Sequence, residues 1–581
     1  MAADKDTSAL TASSLGAIIA LVIGVVVVQQ LPLEKLRPDE PEKSRFQIVD
    51  LQDANARLWQ DPFAAVEQHQ DELEKALREQ PQNKAQLAQA HLARHGLDAI
   101  RNQIGYPNPA LTKDHRGKQP PTDASPKKPP LAIVAVMVPG GAQQEDAEQR
   151  RRHRYAMVAG LNVVYFVPED ENHVGYVIAA PGEPDKQTTK AKGRSDDGKC
   201  DTSTLPEKIP FELFVRIKTP DREEKLTKGS KVLLLWLNER AFSKTPVAKL
   251  RKLISCLGFG PSASIPPPEI NLLGPAQSQT LVNMLVEADE AAKSPPVETQ
   301  LRLPEIRIYS ALATAAECLL YEGAAVDKQL VPPCTSFDPG TLAKRLESLS
   351  VRFLRTIGGD DALAQALVEE LELRGVKLKA DKSERIVLIS ESDTFYGRTL
   401  PQSIIYKFCP ASPPCERVIR LSYFRGTDGA LPGDSTANSG GAGSAPSREV
   451  ISKNKEAVRA EHADGSHQFD YIRRLADRIK TLKDDGNSKI TAVGVLGSDV
   501  YDKLLVLKAL RAEFPEAEFF TTDLDARLLH PEEFRWARNL VVASNFGLAL
   551  RPELQWDTPP FRDGYQTSLF FATLLALDVG R

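Results

Sequence analysis

Several signatures of chemistry are missing from this chain. It has no GxSxG segment, no Walker A loop and no HExxH pair, so a nucleophile-elbow hydrolase, a P-loop NTPase and a helical zinc protease are excluded. Cysteine is sparse and scattered, at Cys200, Cys256, Cys318, Cys334, Cys409 and Cys415, with no CxxC pair. That spacing argues against a zinc ribbon or a thioredoxin-type centre. The six read as reduced, mostly buried thiols. The CPASPPC stretch from Cys409 to Cys415 is short enough to close a small disulfide loop in an oxidising compartment. Charge of one sign is missing too: 74 Lys and Arg stand against 78 Asp and Glu, a net charge of -4. Without a basic field, nucleic acid is not an expected partner. His91 and His95 are spaced i, i+4 without the acid of a metal motif and read as surface residues. The acid-rich TTDLDARLLHPEE (521–533) fits no EF-hand spacing, and Asp523 reads as a helix cap. No catalytic residue, metal site or cofactor is implied, and the chain is not expected to be an enzyme.

What is present begins with length. The 581 residues correspond to roughly three to four average domains at ~150 residues each. From Ala9 to Leu33 no residue is charged, and Leu15–Val28 is almost purely aliphatic. A helix of about 24 such residues spans ~36 Å, enough to cross a bilayer. A cleaved signal peptide would want a positive leading region and a small-residue cleavage site; neither is there. Residues 12–33 therefore read as a transmembrane helix following a short tail (1–11). One lysine, Lys5, precedes it, whereas Lys35, Arg37, Lys43 and Arg45 follow. The positive-inside rule then places the soluble bulk in the cytoplasm, at an inner or plasma membrane.

Beyond the anchor, residues 46–116 carry apolar residues at three- and four-residue spacing and read as a helical neck. GKQPPTDASPKKPP (117–130) is a Pro/Lys linker. LAIVAVMVP (131–139) is a continuous apolar run, the pattern of a strand buried on both faces. Gly140 and Gly141 follow, then a helix whose RRRHR cluster (150–154) reads as a solvated face balancing Glu145, Asp146 and Glu148. Strand-like runs recur at 231–237, 269–275, 306–310, 385–390, 417–424, 490–497, 516–522 and 539–546. Helical patterns lie between most of them, which predicts α/β architecture with parallel sheets. Two polar interruptions, 185–208 and 428–466, lack periodicity. The second, with DSTANSGGAGSAPS, reads as a mobile loop.

Local patterns within 131–577 resemble those of type I periplasmic-binding-protein domains, the fold of branched-chain amino-acid receptors. LLGPAQSQTL (272–281) and IYSALATAAECLL (308–320) are similar to that family's strand–turn–helix units. FLRTIGGDDALAQAL (353–367) is similar to its crossing segment. LISESDTFYGRTL (388–400) and AVGVLGSDVYDKLLVLKAL (492–510) are similar to units of the second lobe. The resemblance implies two Rossmann-like lobes, 131–350 and 351–545, with 546–581 returning toward the first. It also implies a ligand site at facing strand ends. Ser278, Thr280 and Thr314 would hold a carboxylate at helix starts, opposite Asp393, Tyr396, Ser498 and Asp499. N-capping and turn formation explain the same residue types. Because most such domains work outside the inner membrane, the resemblance offers a periplasmic location as the alternative. The chain departs from the family in its Arg-rich first helix, its two insertions and the absence of elements after DGYQTSLFFATLLAL (563–577), so the expectation is either a pared-down fold or an edge covered by something else.

The functional expectation is a membrane-anchored, receptor-like sensor that binds a small polar ligand between two lobes and signals to a partner protein or through self-association. One alternative is a structural or assembly protein with the same fold turned to protein contacts. Another is the anchored solute-binding component of a transporter.

Overall fold

A computed structural model describes residues 60–83, 86–87, 95, 100, 104, 131–141, 144–169, 174–178, 205–206, 208–216, 231–259, 268–293, 305–325, 334, 337–338, 340–377, 383–409, 415–425, 467–484 and 488–577. The expected anchor (12–33), the linker (117–130), the loop 428–466 and much of the neck and of the first insertion lie outside these residues. Among the described residues no helix is long and apolar enough to cross a membrane.

Two sheets organise the chain. The strands of the first are β1 (Leu131–Val138), β2 (Phe166–Pro168), β3 (Gly175–Ile178), β4 (Lys208–Arg216), β5 (Lys231–Asn238), β6 (Glu269–Leu273), β7 (Ile306–Ser310) and β8 (Val351–Arg355). Its parallel part has the order β5-β1-β6-β7-β8; β4 adds antiparallel to β5, and both β2 and β3 pair antiparallel with β4. The second sheet contains β9 (Glu384–Glu391), β10 (Val418–Tyr423), β11 (Lys489–Leu496), β12 (Glu518–Thr522) and β13 (Leu540–Ala543), all parallel, in the order β10-β9-β11-β12-β13. Both parallel sets follow the doubly wound 2-1-3-4-5 order, whose ligand crevice lies at the carboxyl ends beside the first strand. The sequence expectation began the second lobe at 351. That boundary is corrected: β8 pairs with β7 and is the last strand of the first sheet. The antiparallel edge of β2, β3 and β4 was not foreseen.

The continuous apolar runs are explained by two-sided burial. On β1, Ile133, Ala135 and Met137 enter one core, while Val134, Val136 and Val138 enter another on the opposite face. Strand β9 of the second sheet behaves alike: Ile386 and Leu388 face one core, Val387 and Ile389 the other. A side-chain period of two sends alternate residues to opposite faces, so a strand covered on both sides must be apolar throughout.

The chain crosses between the sheets after β8 and again after β13. The crossings are tied by Asn545 Nδ2 donating to the Gly358 carbonyl at 3.2 Å. The final helix, Gly564–Ala576, returns to the first sheet, where Leu569, Phe570 and Leu574 complete its core. It packs on the helix Gln144–Val163, here the cleft helix. A Cβ on Gly160 would lie 2.8 Å from Thr573 Cγ2, so only glycine allows this approach.

The cleft helix corrects the reading of RRRHR as a solvated face. Arg154 is buried and pairs with Glu212 at 2.8 and 2.9 Å, and Glu212 also accepts from Trp236 Nε1. Arg150 is buried against Asp61 at 2.7 to 3.0 Å and donates to the Pro139 and Gly141 carbonyls. Asp61 at the same time caps the neck helix Pro62–Glu79 by accepting the Phe63 N–H. His95, expected at the surface, is half-buried and stacks on Tyr176 with ring centroids 4.2 Å apart; His91 lies outside the described residues. The reading of the cysteines as reduced thiols is also corrected, whereas the loop disulfide weighed for Cys409 and Cys415 is formed. Cys318–Cys334 and Cys409–Cys415 are disulfides with Cα–Cα separations of 5.2 and 5.9 Å, and Cys256 is disulfide-bonded too.

Candidate functional site

The carboxyl ends of both sheets face each other across a cavity of about 270 Å³. On the first lobe the turn after β6 is ordered by Glu239, buried at the start of the short helix after β5. Its carboxylate accepts the Ala276 and Gln277 N–H groups at 3.2 and 2.9 Å. Desolvation pushes the Glu239 carboxyl up to about 7, against these donors and the Thr280 hydroxyl. Thr280 is therefore a turn-building residue directed at Glu239 and lies off the cavity wall. Ser278 does line the cavity, at the first position of the helix Ser278–Lys293, and its Oγ accepts the Ala315 N–H at 3.2 Å. That bond links the turn after β6 to the turn after β7, where Thr314 also faces the cavity.

Across the gap, Tyr396 is a cavity residue on the helix Phe395–Phe408, which Thr394 caps. Its hydroxyl donates to Asp523 Oδ2 at 2.6 Å and lies 2.8 Å from Thr522 Oγ1. Asp523, at the end of β12, adopts φ 63°, a left-handed conformation that aspartate tolerates better than most residues. Lys503, almost wholly buried, donates to the Thr522 carbonyl at 2.7 Å and stands 3.9 Å from the Asp523 carboxylate. Tyr565, from the returning helix, neighbours both Asp523 and Thr314. Burial, then the Asp523 charge, raises both phenols well above their usual value, so they stay protonated donors. Asp523 was read as a cap. The cap is instead Asp525, whose Oδ1 accepts the Arg527 N–H at 2.7 Å. Nothing in local sequence distinguishes the two; the distinguishing contact is with Tyr396, 127 residues away.

The remaining expected residues separate. Asp393 lines the rim and pairs with Arg425 Nε at 2.8 Å. Ser498 lines it too, donating through its backbone and hydroxyl to Glu391 Oε2, both at 3.0 Å. Asp499 is buried behind the wall and caps the helix Val500–Arg511 through the Tyr501 N–H. The structure thus brings Ser278, Thr314, Asp393, Tyr396 and Ser498 to one cavity and leaves Thr280 and Asp499 as supports.

The cleft helix contributes what sequence reading missed. Asp146, Gln149, Arg152 and His153 line the cavity, at helical spacings that bring them to one side of the helix. Glu145 reaches the second lobe, accepting from Ser498 Oγ at 3.3 Å and pairing with Arg425 at 3.4 Å. Arg152 bridges Glu148, Asp525 and Asp563 at 2.6, 3.3 and 3.0 Å. His153 is driven down to about 3 by burial and by Arg152 and Arg150, so its ring is neutral.

No family model matches the chain, and no curated protein matches it. Among solved structures it is similar to a leucine-binding protein of Thermotoga maritima, at 11% identity over 77% of this chain and 82% of that one, with a TM-score of 0.34. It is also similar to an ABC transporter substrate-binding protein of Desulfitobacterium hafniense in complex with leucine (12% identity, 61% and 75% covered, TM-score 0.29). A third is a solute-binding protein of an ABC transporter from Rhodopseudomonas palustris in complex with p-hydroxybenzoic acid (8% identity, 68% and 61% covered, TM-score 0.31). At these scores the likeness carries no argument about this chain, whose α/β architecture rests on its own strand order and register.

Proposed function

We propose that this chain is a receptor-like binding module that holds a small polar ligand between its two lobes and passes lobe closure to a partner protein or a second copy. In this reading residues 12–33 anchor it in a membrane. One observation carries the proposal: a cavity of about 270 Å³ is walled by strand-end residues of both sheets, Ser278 and Thr314 on one side and Tyr396 and Asp523 on the other. That is close to the lower end of ligand-pocket volumes, ~300 Å³, and it sits where doubly wound sheets bind ligands. The reading is of binding without catalysis. The Ser278 hydroxyl accepts a backbone N–H and has no histidine partner among the described residues. For location we favour the periplasmic alternative over the cytoplasmic expectation, because two described disulfides are at home in an oxidising compartment.

The second reading, an assembly protein with its cleft turned to protein contacts, is favoured by the ion pairs that join the lobes. Glu145–Arg425 and Arg562–Glu148 both hold the cleft helix against the second half of the chain. A thermal-shift screen of the full chain against amino acids, small peptides, nucleotides and sugars separates the two. A ligand at 100 times its Kd adds about 2.7 kcal/mol, a rise of a few degrees for a protein of this size. The binding reading expects such a rise, lost when Ser278→Ala and Thr314→Ala are combined. A folded protein silent to every class would sink it in favour of the assembly reading.

A further inference from the structure

The charges of the cavity wall are unequal. Asp146, Glu391, Asp393, Asp523, Asp525 and Asp563 line it, against Arg152, Arg398, Arg425 and Lys503. The cations are already committed. Arg152 is held by Glu148, Asp525 and Asp563, and Arg425 by Asp393 and Glu145. Lys503 donates to Thr522, and Arg398 to the Ser392 carbonyl. With six carboxylates against four cations on the wall, an anionic group entering this end of the cleft meets a net negative field.

Three groups on the cleft helix are left with hydrogen-bonding capacity: the donor Arg152 Nε, which has no partner among the described residues, and two others. Asp146, 9% exposed, forms no ion pair among the described residues and is supported by the Gly141 N–H. Desolvation raises its carboxyl, with Arg425 and Arg150 pulling it back only in part. His153, 6% exposed, also lines the cavity, and its Nδ1 has no hydrogen-bond partner among the described residues. A buried polar atom without a partner costs free energy unless something else satisfies it. With the ring proton on Nε2, the Nδ1 of a neutral imidazole is an acceptor, as is a carboxylate, and an ammonium or guanidinium offers only donors. The two residues stand seven positions apart, about 10 Å along the helix axis.

Resting on the binding reading above, we propose that the ligand is a small organic cation lying along the cleft helix, with an ammonium or guanidinium group against Asp146 and a second donor on His153. Replacing solvent around a buried carboxylate by a charged donor is among the stronger hydrogen-bonded contacts available to a small ligand. The Ser278 hydroxyl, which accepts the Ala315 N–H, keeps its proton to donate to a carboxylate, so a basic amino acid fits the whole cavity, and a diamine fits the acidic end alone.

The test is isothermal titration of the full chain with lysine, arginine, cadaverine, norleucine and glutamate. Lysine and norleucine differ at the side-chain end by the ammonium group, so their ratio reads the proposal directly. The expected result is lysine or arginine at least ~10-fold tighter than norleucine, with glutamate weaker still. Asp146→Asn should shrink the lysine-over-norleucine preference at least fivefold. Cadaverine binding without the amino acids would place the cation at Asp146 with no carboxylate subsite, which also supports the proposal. Norleucine or glutamate binding as tightly as lysine would overturn the cation assignment and leave the binding reading standing. Failure of all five to bind would overturn this inference and count against the binding reading as well. Should Asp146→Asn not fold, the lysine-to-norleucine ratio of the unaltered protein still decides.

Discussion

Asp360 sits where the chain first leaves the first sheet, with no solvent exposure and, among the described residues, with neither carboxylate oxygen in a formed hydrogen bond. Its backbone N–H donates to the Thr314 carbonyl at 2.7 Å, and the Thr314 hydroxyl is its neighbouring donor. Desolvation, then the Asp523 charge, pushes its carboxyl up to about 7. An acid with a raised folded-state value favours folding below its unfolded value, and that contribution is lost as pH rises through the folded one. The window here runs from about 4 to about 7, and the linked free energy is on the order of 4 kcal/mol. Asp360→Asn removes this titration. Its urea midpoint should therefore gain on the unaltered protein between pH 4 and pH 8; a constant difference across that range would show that Asp360 does not titrate there. Neither this burial nor the role of Asp523 can be read from the aspartates' own neighbours in sequence, since both depend on tyrosines and crossings far along the chain.

At the scale of elements, the cleft helix is the piece whose sequence misleads most. Its alternating arginines look like a solvated face, yet successive second positions on a helix point about 200° apart. Arg152 accordingly reaches the segment after β12, while Arg150 and Arg154, together on the other side of the helix, reach the neck and strand β4. Each finds a buried acid there, which is what allows so polar a helix to pack on both sides. The neck is clasped by the first of these pairs, reinforced by Arg150 over the Phe63 ring at 5.4 Å. Asp61→Ala leaves Arg150 buried without its counter-charge and should cost roughly 3–5 kcal/mol. Hydrogen exchange should then show faster opening along Pro62–Glu79, with the second sheet unchanged. Unaltered protection of that helix would mean that its apolar face, through Ala65 and Val66, suffices to hold it.

At the scale of the molecule, the lobes meet through carboxylates. Glu145 of the cleft helix is raised well above its usual value by burial first, then by Asp499, with Glu391 and Asp502 adding to it and Arg425 opposing. Gln149 on its own helix and Ser498 opposite complete its surroundings. Opening the lobes returns Glu145 to water and to an ordinary value. The closed form therefore binds a proton more tightly, is favoured at low pH, and is lost as pH rises through the raised value. For one proton the open fraction grows by up to ~10-fold per pH unit. Small-angle scattering of the full chain should show expansion on going from pH 5 to pH 8, and Glu145→Gln should stay compact throughout. If the variant expands as the unaltered protein does, closure is governed by other groups.

The sequence by itself determined the α/β architecture, because two-sided burial demands unbroken apolar strands such as LAIVAVMV and ERIVLISE, and these stand out against amphipathic helices. The resemblance to a binding-protein family pointed to the turns at Ser278, Thr314, Tyr396 and Ser498, which are strand ends followed by helix starts. Tertiary structure alone decided the rest. The antiparallel edge of β2, β3 and β4 was hidden because short strands beside a polar insertion have no distinctive period. The assignment of β8 to the first sheet and the placing of Asp146, His153 and Asp523 in the cavity depend on contacts between residues far apart in the chain. Local propensity and periodicity carry no information about such contacts, because the physical cause, burial against a distant partner, exists only once the two lobes have folded and met.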